Sequence, residues 1–225
     1  MSSVWIWLFG LLITAGTYWG ALKLYAVYHK PFMMPLIPST IVIILFLLLF
    51  NIPYDQYMKG AEVWNFLLGP AVVALAYPLY FNLPTVKKFL WPILFGVIGG
   101  AAFGLFSGYY LSLLFQVDPE VARSIIPKNA TTPIAIEISK SIGGIPSLTV
   151  VYVMVTGIFG AVFGVPILNF LKVFHPVARG LSIGIASHGI GTAKMFEMSN
   201  EEGSISTVAY ILTAIFITFL CPLLF

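Results

Sequence analysis

An all-α, polytopic membrane bundle is the fold this sequence predicts, and three observations predict it. The 225 residues are 60% hydrophobic and only 8% charged, with a mean hydropathy of +0.99. The apolar residues fall in runs of about 20, the length at which a helix crosses ~30 Å of hydrocarbon. Those runs are continuous and do not alternate at period two, which sets aside a porin-like barrel. Lipid offers no partner to a backbone amide, so spanning segments of this kind must be helices.

The first span is placed near residues 4–28. Trp5, Trp7, Trp19, Tyr25 and Tyr28 suit its interfaces, and Lys23 and Lys30 close it. Its opening, MSSVWIWLFG, lacks the basic stretch of a cleaved signal peptide and reads as a retained span. Further spans are expected near 33–50, 61–82, 88–115, 119–143, 146–172, 176–198 and 203–224, about eight in all, in a single domain covering 1–225. Three of them carry interruptions that a simple anchor does not need: Gly69-Pro70 in the third, PKNATTP at 127–133 in the fifth and SHGIGT at 187–192 in the seventh. One such site alone is usually a packed kink. Three in one small bundle point to broken helices whose freed backbone groups face buried partners or a wet cavity.

Gly96, Gly100, Gly104 and Gly108 form a four-residue ladder on the fourth span, echoed by Thr156, Gly160 and Gly164 on the sixth. Small residues at that spacing let helix backbones touch, so their expected role is packing. LLGPAVVALAYPLY at 67–80 with GAAFG at 100–104 recurs loosely as ATTPIAIEISKSI at 130–142 with GAVFG at 160–164. The recurrence predicts internal repeats over about 33–115 and 117–225, as in many transporters. With the N-terminus outside, the loop cations Lys23, Lys30, Lys87, Lys88, Lys140 and Lys194 fall on one side, and Lys59, Arg123, Lys128, Lys172 and Arg179 on the other. The first half follows the positive-inside pattern and the second reverses it; an extra re-entrant segment near 117–130 would restore the rule and invert the repeats.

Several function classes are set aside. The single cysteine, Cys221, excludes an intramolecular disulfide, and no Cys/His cluster suggests a metal, so no cofactor is expected. The net charge of +3 is spread over loops and not clustered, so no nucleic-acid partner is expected. Ser187 beside His188 invites a hydrolase reading, but adjacent side chains on a helix diverge and no third group or HExxH motif accompanies them. An enzyme is not expected.

Two stretches carry the candidate site. In the first, Thr131 or Thr132 can cap a helix whose first turn begins at Pro133, presenting the positive end of a helix dipole to an anion. Glu137 follows one turn later, with Lys140 and Ser141 on the same face. A charged side chain at membrane depth costs ~2.5–3.5 kcal/mol on insertion scales. Glu137 and Lys140 are therefore either a structural pair near the interface or part of a proton or substrate relay. In the second stretch, Gly189 and Gly191 permit unwinding, Thr192 can cap the helix that follows, and His188 can gain a proton near neutral pH. Arg179 can attract or pair with an anion, while Lys194 and Glu197 can close a salt bridge.

TTPIAIEISKSIGGIPSLT at 131–149 and ARGLSIGIASHGIGTAKMFE at 178–197 resemble the two signatures of the LrgB/CidB family, and the pattern of apolar spans fits along essentially the whole chain. The resemblance implies a multi-pass protein of the bacterial inner (plasma) membrane, paired with a small holin-like LrgA/CidA-type membrane protein. It implies either modulation of murein hydrolase export and autolysis, or carriage of small carboxylates, since related pairs are implicated in pyruvate uptake and the plant plastidial glycolate/glycerate translocator resembles a fusion of the partners. Carried onto this chain, the motif points to Thr131, Thr132, Pro133, Glu137, Gly143, Gly144, Pro146, Arg179, Ser187, His188, Gly189, Gly191 and Thr192 as site residues. Lys194 and Met195 depart from the pattern, where smaller or different residues are expected. The expectation is a carrier or facilitator of pyruvate, lactate, glycolate or glycerate, with protons as the coupling ion and homo-oligomers as a further expectation.

Overall fold

A computed structural model describes residues 3–28, 33–74 and 76–225. Lys30, one of the loop cations, and Leu75, inside the first repeat motif, lie outside them. The described residues are mostly helical and include no strand. In order they form α1 (Ser3–Tyr28), α2 (Leu36–Leu49), α3 (Tyr54–Ala74), α4 (Ala76–Phe81), α5 (Leu83–Lys88), α6 (Leu90–Leu114), α7 (Pro119–Ile125), a 3-10 turn (Ile126–Asn129), α8 (Thr132–Ser141), α9 (Pro146–Phe170), α10 (Pro176–Met198) and α11 (Asn200–Leu224). Among the described residues, α6, α9 and α11 are each long and apolar enough to cross a membrane; α2 is a shorter apolar helix. At 25 residues and 1.5 Å per residue, each of the three extends ~37 Å.

The chain divides into two compact units, Met1–Ala76 and Tyr77–Phe225, a boundary that falls within the first expected repeat. In the first unit, α1 packs on α2 and α3. Gly10 lets α1 come against the backbone of Tyr57, Gly60 and Ala61, and Thr14 Oγ1 meets the Tyr57 hydroxyl at 2.9 Å. The expected interruption at Gly69-Pro70 is absent: α3 continues through Pro70 to Ala74. Proline lacks one amide and crowds the carbonyl four residues back, a local cost that a helix interior can carry as a bend without breaking.

The second unit is built around α10, which packs on α6, α9 and α11. Glycines set each approach. Gly180 and Gly184 of α10 lie against the backbone carbonyls of Glu202 and Ser206 on α11. Gly96 and Gly100 of α6 receive Leu181 and Ile185 of α10, and Gly164 of α9 receives Ile183. Gly96 and Gly100 of the α6 ladder and Gly160 and Gly164 of the α9 ladder therefore face α10, and Ile93, Val97, Ile185, Ile205 and Ala209 fill the space where α6, α10 and α11 meet. A second apolar cluster, including Ala101, Leu105, Ile126, Ile138 and Ile217, ties α8 and the 3-10 turn to α6 and α11.

The expected fifth span, 119–143, is not one rod. Asp118 caps α7 by accepting from the Glu120 amide at 3.1 Å, but α7 stops after seven residues. Pro127 has no amide to continue the ladder and sits at φ −80°, ψ 15°; Ala130 and Thr131 are extended, and α8 restarts at Thr132 with Pro133 in its first turn. α8 then ends in a Schellman turn: Gly143 takes φ +73°, its amide reaches the Lys140 carbonyl at 3.4 Å, and the Gly144 amide reaches the Ser139 carbonyl at 2.8 Å. A Cβ on Gly144 would stand 2.6 Å from Ser139 Oγ, so both glycines are needed to turn the chain into α9.

Candidate functional site

Two interruptions meet in the second unit. One is the segment between α7 and α8. The other lies inside α10, where His188 adopts φ 41°, ψ −138° between two helical stretches. The expectation that Gly189 and Gly191 would unwind the helix is corrected here: neither has a positive φ, and the turn rests on His188 itself. Three contacts hold it there. His188 Nε2 lies 3.0 Å from the Val153 carbonyl on α9, so this nitrogen carries the proton and donates. Its ring sits over Gly157, where a Cβ would stand 2.8 Å from Cε1. The His188 carbonyl accepts from Thr192 Oγ1 at 2.8 Å, and Thr192 Oγ1 also meets Ser206 Oγ on α11 at 2.7 Å.

Asn129, the last residue of the 3-10 turn, joins the two interruptions. Its side-chain amide donates to the carbonyl of Ile185 at 3.0 Å and to that of Ala186 at 3.4 Å, in the last turn of α10 before residue 188. Carbonyls at an interrupted end need donors, and at this depth the protein must supply them. The same side chain lies against Gly104, where a Cβ would be 3.1 Å from both its nitrogen and its oxygen. On the neighbouring residue, Lys128 Nζ donates to the Gly104 carbonyl at 2.6 Å. Asn129 is buried and its Oδ1 has no partner; Ser187 is buried against Gly160, and its Oγ also has none. Ser187 lines a groove of about 480 Å³ between α9 and α10, whose walls are apolar apart from Thr156, Ser182 and Ser187.

The structure brings Ser187, His188, Gly191 and Thr192 into the core at this junction. Gly191 is held there because a Cβ would come within 2.7 Å of Ile183 Cγ2. Gly189 is exposed and faces open space. Thr131 stands at the N-cap of α8 without a side-chain capping bond, Thr132 is half-buried and Pro133 is exposed. The start of α8 is thus fixed by Pro133 and extended backbone, not by a threonine hydroxyl. Glu137 is not drawn into the junction: its side chain is 71% exposed and pairs with Lys140 at 2.7 Å, the structural alternative for that carboxylate. Lys194 and Glu197 likewise pair, at 2.6 Å. Gly143 and Gly144 form the turn between α8 and α9, and Pro146 opens α9. Arg179 is buried and committed to structure, with Nε on Glu202 at 3.0 Å and Nη1 on Asn169 Oδ1 at 2.7 Å. That pair docks α10 on α11.

The sequence reading missed Asn129, Lys128, Val153, Gly157 and Ser206. Asn129 and Lys128 had a signal, being the polar residues at the centre of PKNATTP. Lys128 entered only as a loop cation. The partners on α9 and α11 had none, since a backbone carbonyl and a mid-helix serine carry no mark in sequence.

Long apolar helices around a pair of adjoining helix interruptions define this as a helical membrane protein with a polar junction in its core. Residues 14–225 match the LrgB-like family. The chain belongs to that family. It is 40% identical over 213 residues to an uncharacterized protein, YxaC, of Bacillus subtilis (strain 168), covering 95% of this chain and 93% of the relative. It is 35% identical over 214 residues to the holin-like protein CidB of Staphylococcus aureus (strain N315), with the same coverage. An uncharacterized protein of Haemophilus influenzae is 36% identical over 226 residues, covering 100% of this chain and 97% of its own. No solved structure matches.

Proposed function

We propose that this protein is a secondary carrier or facilitator of small monocarboxylates, of the pyruvate, lactate, glycolate or glycerate type, acting in the bacterial plasma membrane with an LrgA/CidA-type partner. The observation that carries the reading is the meeting of two helix interruptions through Asn129. A rigid anchor gains nothing from two breaks that must then be stitched together, whereas a solute pathway needs non-helical backbone and polar side chains at depth. The groove beside Ser187 is large enough for a three-carbon acid. In this reading the chain crosses the membrane about eight times, and His188 links flux to protons.

The test is uptake of labelled pyruvate and glycolate into liposomes holding the purified chain, with and without an LrgA-type partner. Saturable uptake that Thr132→Val and His188→Ala abolish, with folding retained, is the expected result. Unsaturable passage of dyes supports a pore instead. The second reading, a holin-associated regulator of murein hydrolase activity and autolysis, is favoured by the name of the staphylococcal relative, holin-like protein CidB. In that case neither acid is taken up saturably, and the junction serves assembly.

A further inference from the structure

Two cations reach into the core of the second unit, and their surroundings differ. Arg179 has a carboxylate, Glu202, together with Asn169 and the Val173 carbonyl. Lys128 has the Gly104 carbonyl at 2.6 Å. Among the described residues the ion pairs are Lys140 with Glu137, Arg179 with Glu202 and Lys194 with Glu197, so no carboxylate faces Lys128. Depth sharpens the contrast. Gly104 lies two residues, ~3 Å, beyond the midpoint of α6 (Leu90–Leu114), which places the ammonium near the middle of a membrane-crossing helix. A carbonyl dipole satisfies one of three N–H groups and leaves the charge uncompensated, and ionised side chains at such depth face a pathway or a counter-charge.

The surroundings hold the ammonium in place. A Cβ on Gly108 would stand 2.6 Å from Nζ, so this glycine leaves the space the ammonium uses. Asn129, the next residue, is fastened to Ile185 and Ala186 and fixes the backbone from which Lys128 projects. The glycine ladder of α6 therefore does more than pack helices: its last two members border a cation.

We propose that Lys128 binds the carboxylate of the transported solute, its ammonium shared between the Gly104 carbonyl and the anion. This rests on the carrier reading above and adds the group that holds the solute. One fixed positive charge matches one negative charge, so monocarboxylates are bound, while dicarboxylates bring a surplus charge that the junction does not neutralise.

The experiment has two arms. In the first, the purified full chain is treated with acetic anhydride and acetylation of Lys128 is followed by mass spectrometry in the presence of glycolate, pyruvate, succinate or neutral glycolamide. Glycolate and pyruvate are expected to protect Lys128; succinate and glycolamide are not. In the second, uptake is compared between the wild type, Lys128→Gln and Lys128→Arg. The glutamine variant is expected to raise KM by about tenfold or more, and the arginine variant to keep saturable uptake. Equal acetylation with and without saturating glycolate, equal protection by glycolamide, or a wild-type KM in Lys128→Gln overturns the proposal. If the wild type takes up no acid yet glycolate protects Lys128, the carrier reading fails and the anion site stands. If uptake is normal and protection absent, the site fails alone. Should Lys128→Gln not fold, protection of the wild type decides.

Discussion

Replacing His188 with glycine is expected to leave a more stable protein than replacing it with alanine, the reverse of the order inside an ordinary helix. Both substitutions remove the imidazole, its hydrogen bond to Val153 and its contact with Gly157, so those losses cancel in the comparison. What remains is the backbone at φ 41°, ψ −138°. An L-residue with a Cβ held in so sparsely populated a region carries ~1–3 kcal/mol of strain, and glycine carries almost none. Against this, glycine loses more chain freedom on folding, at ~0.5–1 kcal/mol. The glycine variant should therefore be more stable by about 0.5–2 kcal/mol, whereas at a regular helical position alanine leads by ~0.8–1 kcal/mol. Thermal or denaturant unfolding of both variants in the same detergent measures the difference. An alanine variant as stable as the glycine variant, or more so, would mean that residue 188 is an ordinary helical position and that α10 is unbroken.

Asn129→Leu removes the donor to the Ile185 and Ala186 carbonyls and should lower stability by ~1–3 kcal/mol in the same unfolding assay; an unchanged midpoint would show that nothing at the junction depends on that amide. Gly160→Ala drives a methyl group into Ser187 and should cost ~1–3 kcal/mol, while Ser187→Ala, which removes an unpartnered hydroxyl, should be close to neutral and should recover part of that loss in the double variant. Glu202→Gln leaves the Arg179 charge buried without its carboxylate and should cost ~3–5 kcal/mol, whereas Arg179→Met with Glu202→Met should recover most of it; equal losses in single and double variants would refute the pairing. Glu137→Gln should leave both stability and uptake near wild type, because the carboxylate is exposed and paired only with Lys140; loss of uptake would return it to the pathway.

Composition and run length by themselves determined that this chain is helical and membrane-embedded, because burial in lipid is an additive property of the residues in a segment. Proline also marked one interruption correctly, since Pro127 and Pro133 act through their own missing amides. The tertiary structure decided which marks matter. Gly69-Pro70 lies within an unbroken helix, whereas the turn in α10 falls on His188, a residue that would not choose φ 41° alone and is held there by Val153, Gly157 and the Thr192–Ser206 pair. Arg179 and Lys128 look alike in a sequence, each a cation within a stretch that carries an interruption. Only the fold gives one a carboxylate 23 residues away and leaves the other against a carbonyl on α6, because a charge's meaning depends on what the chain brings to face it.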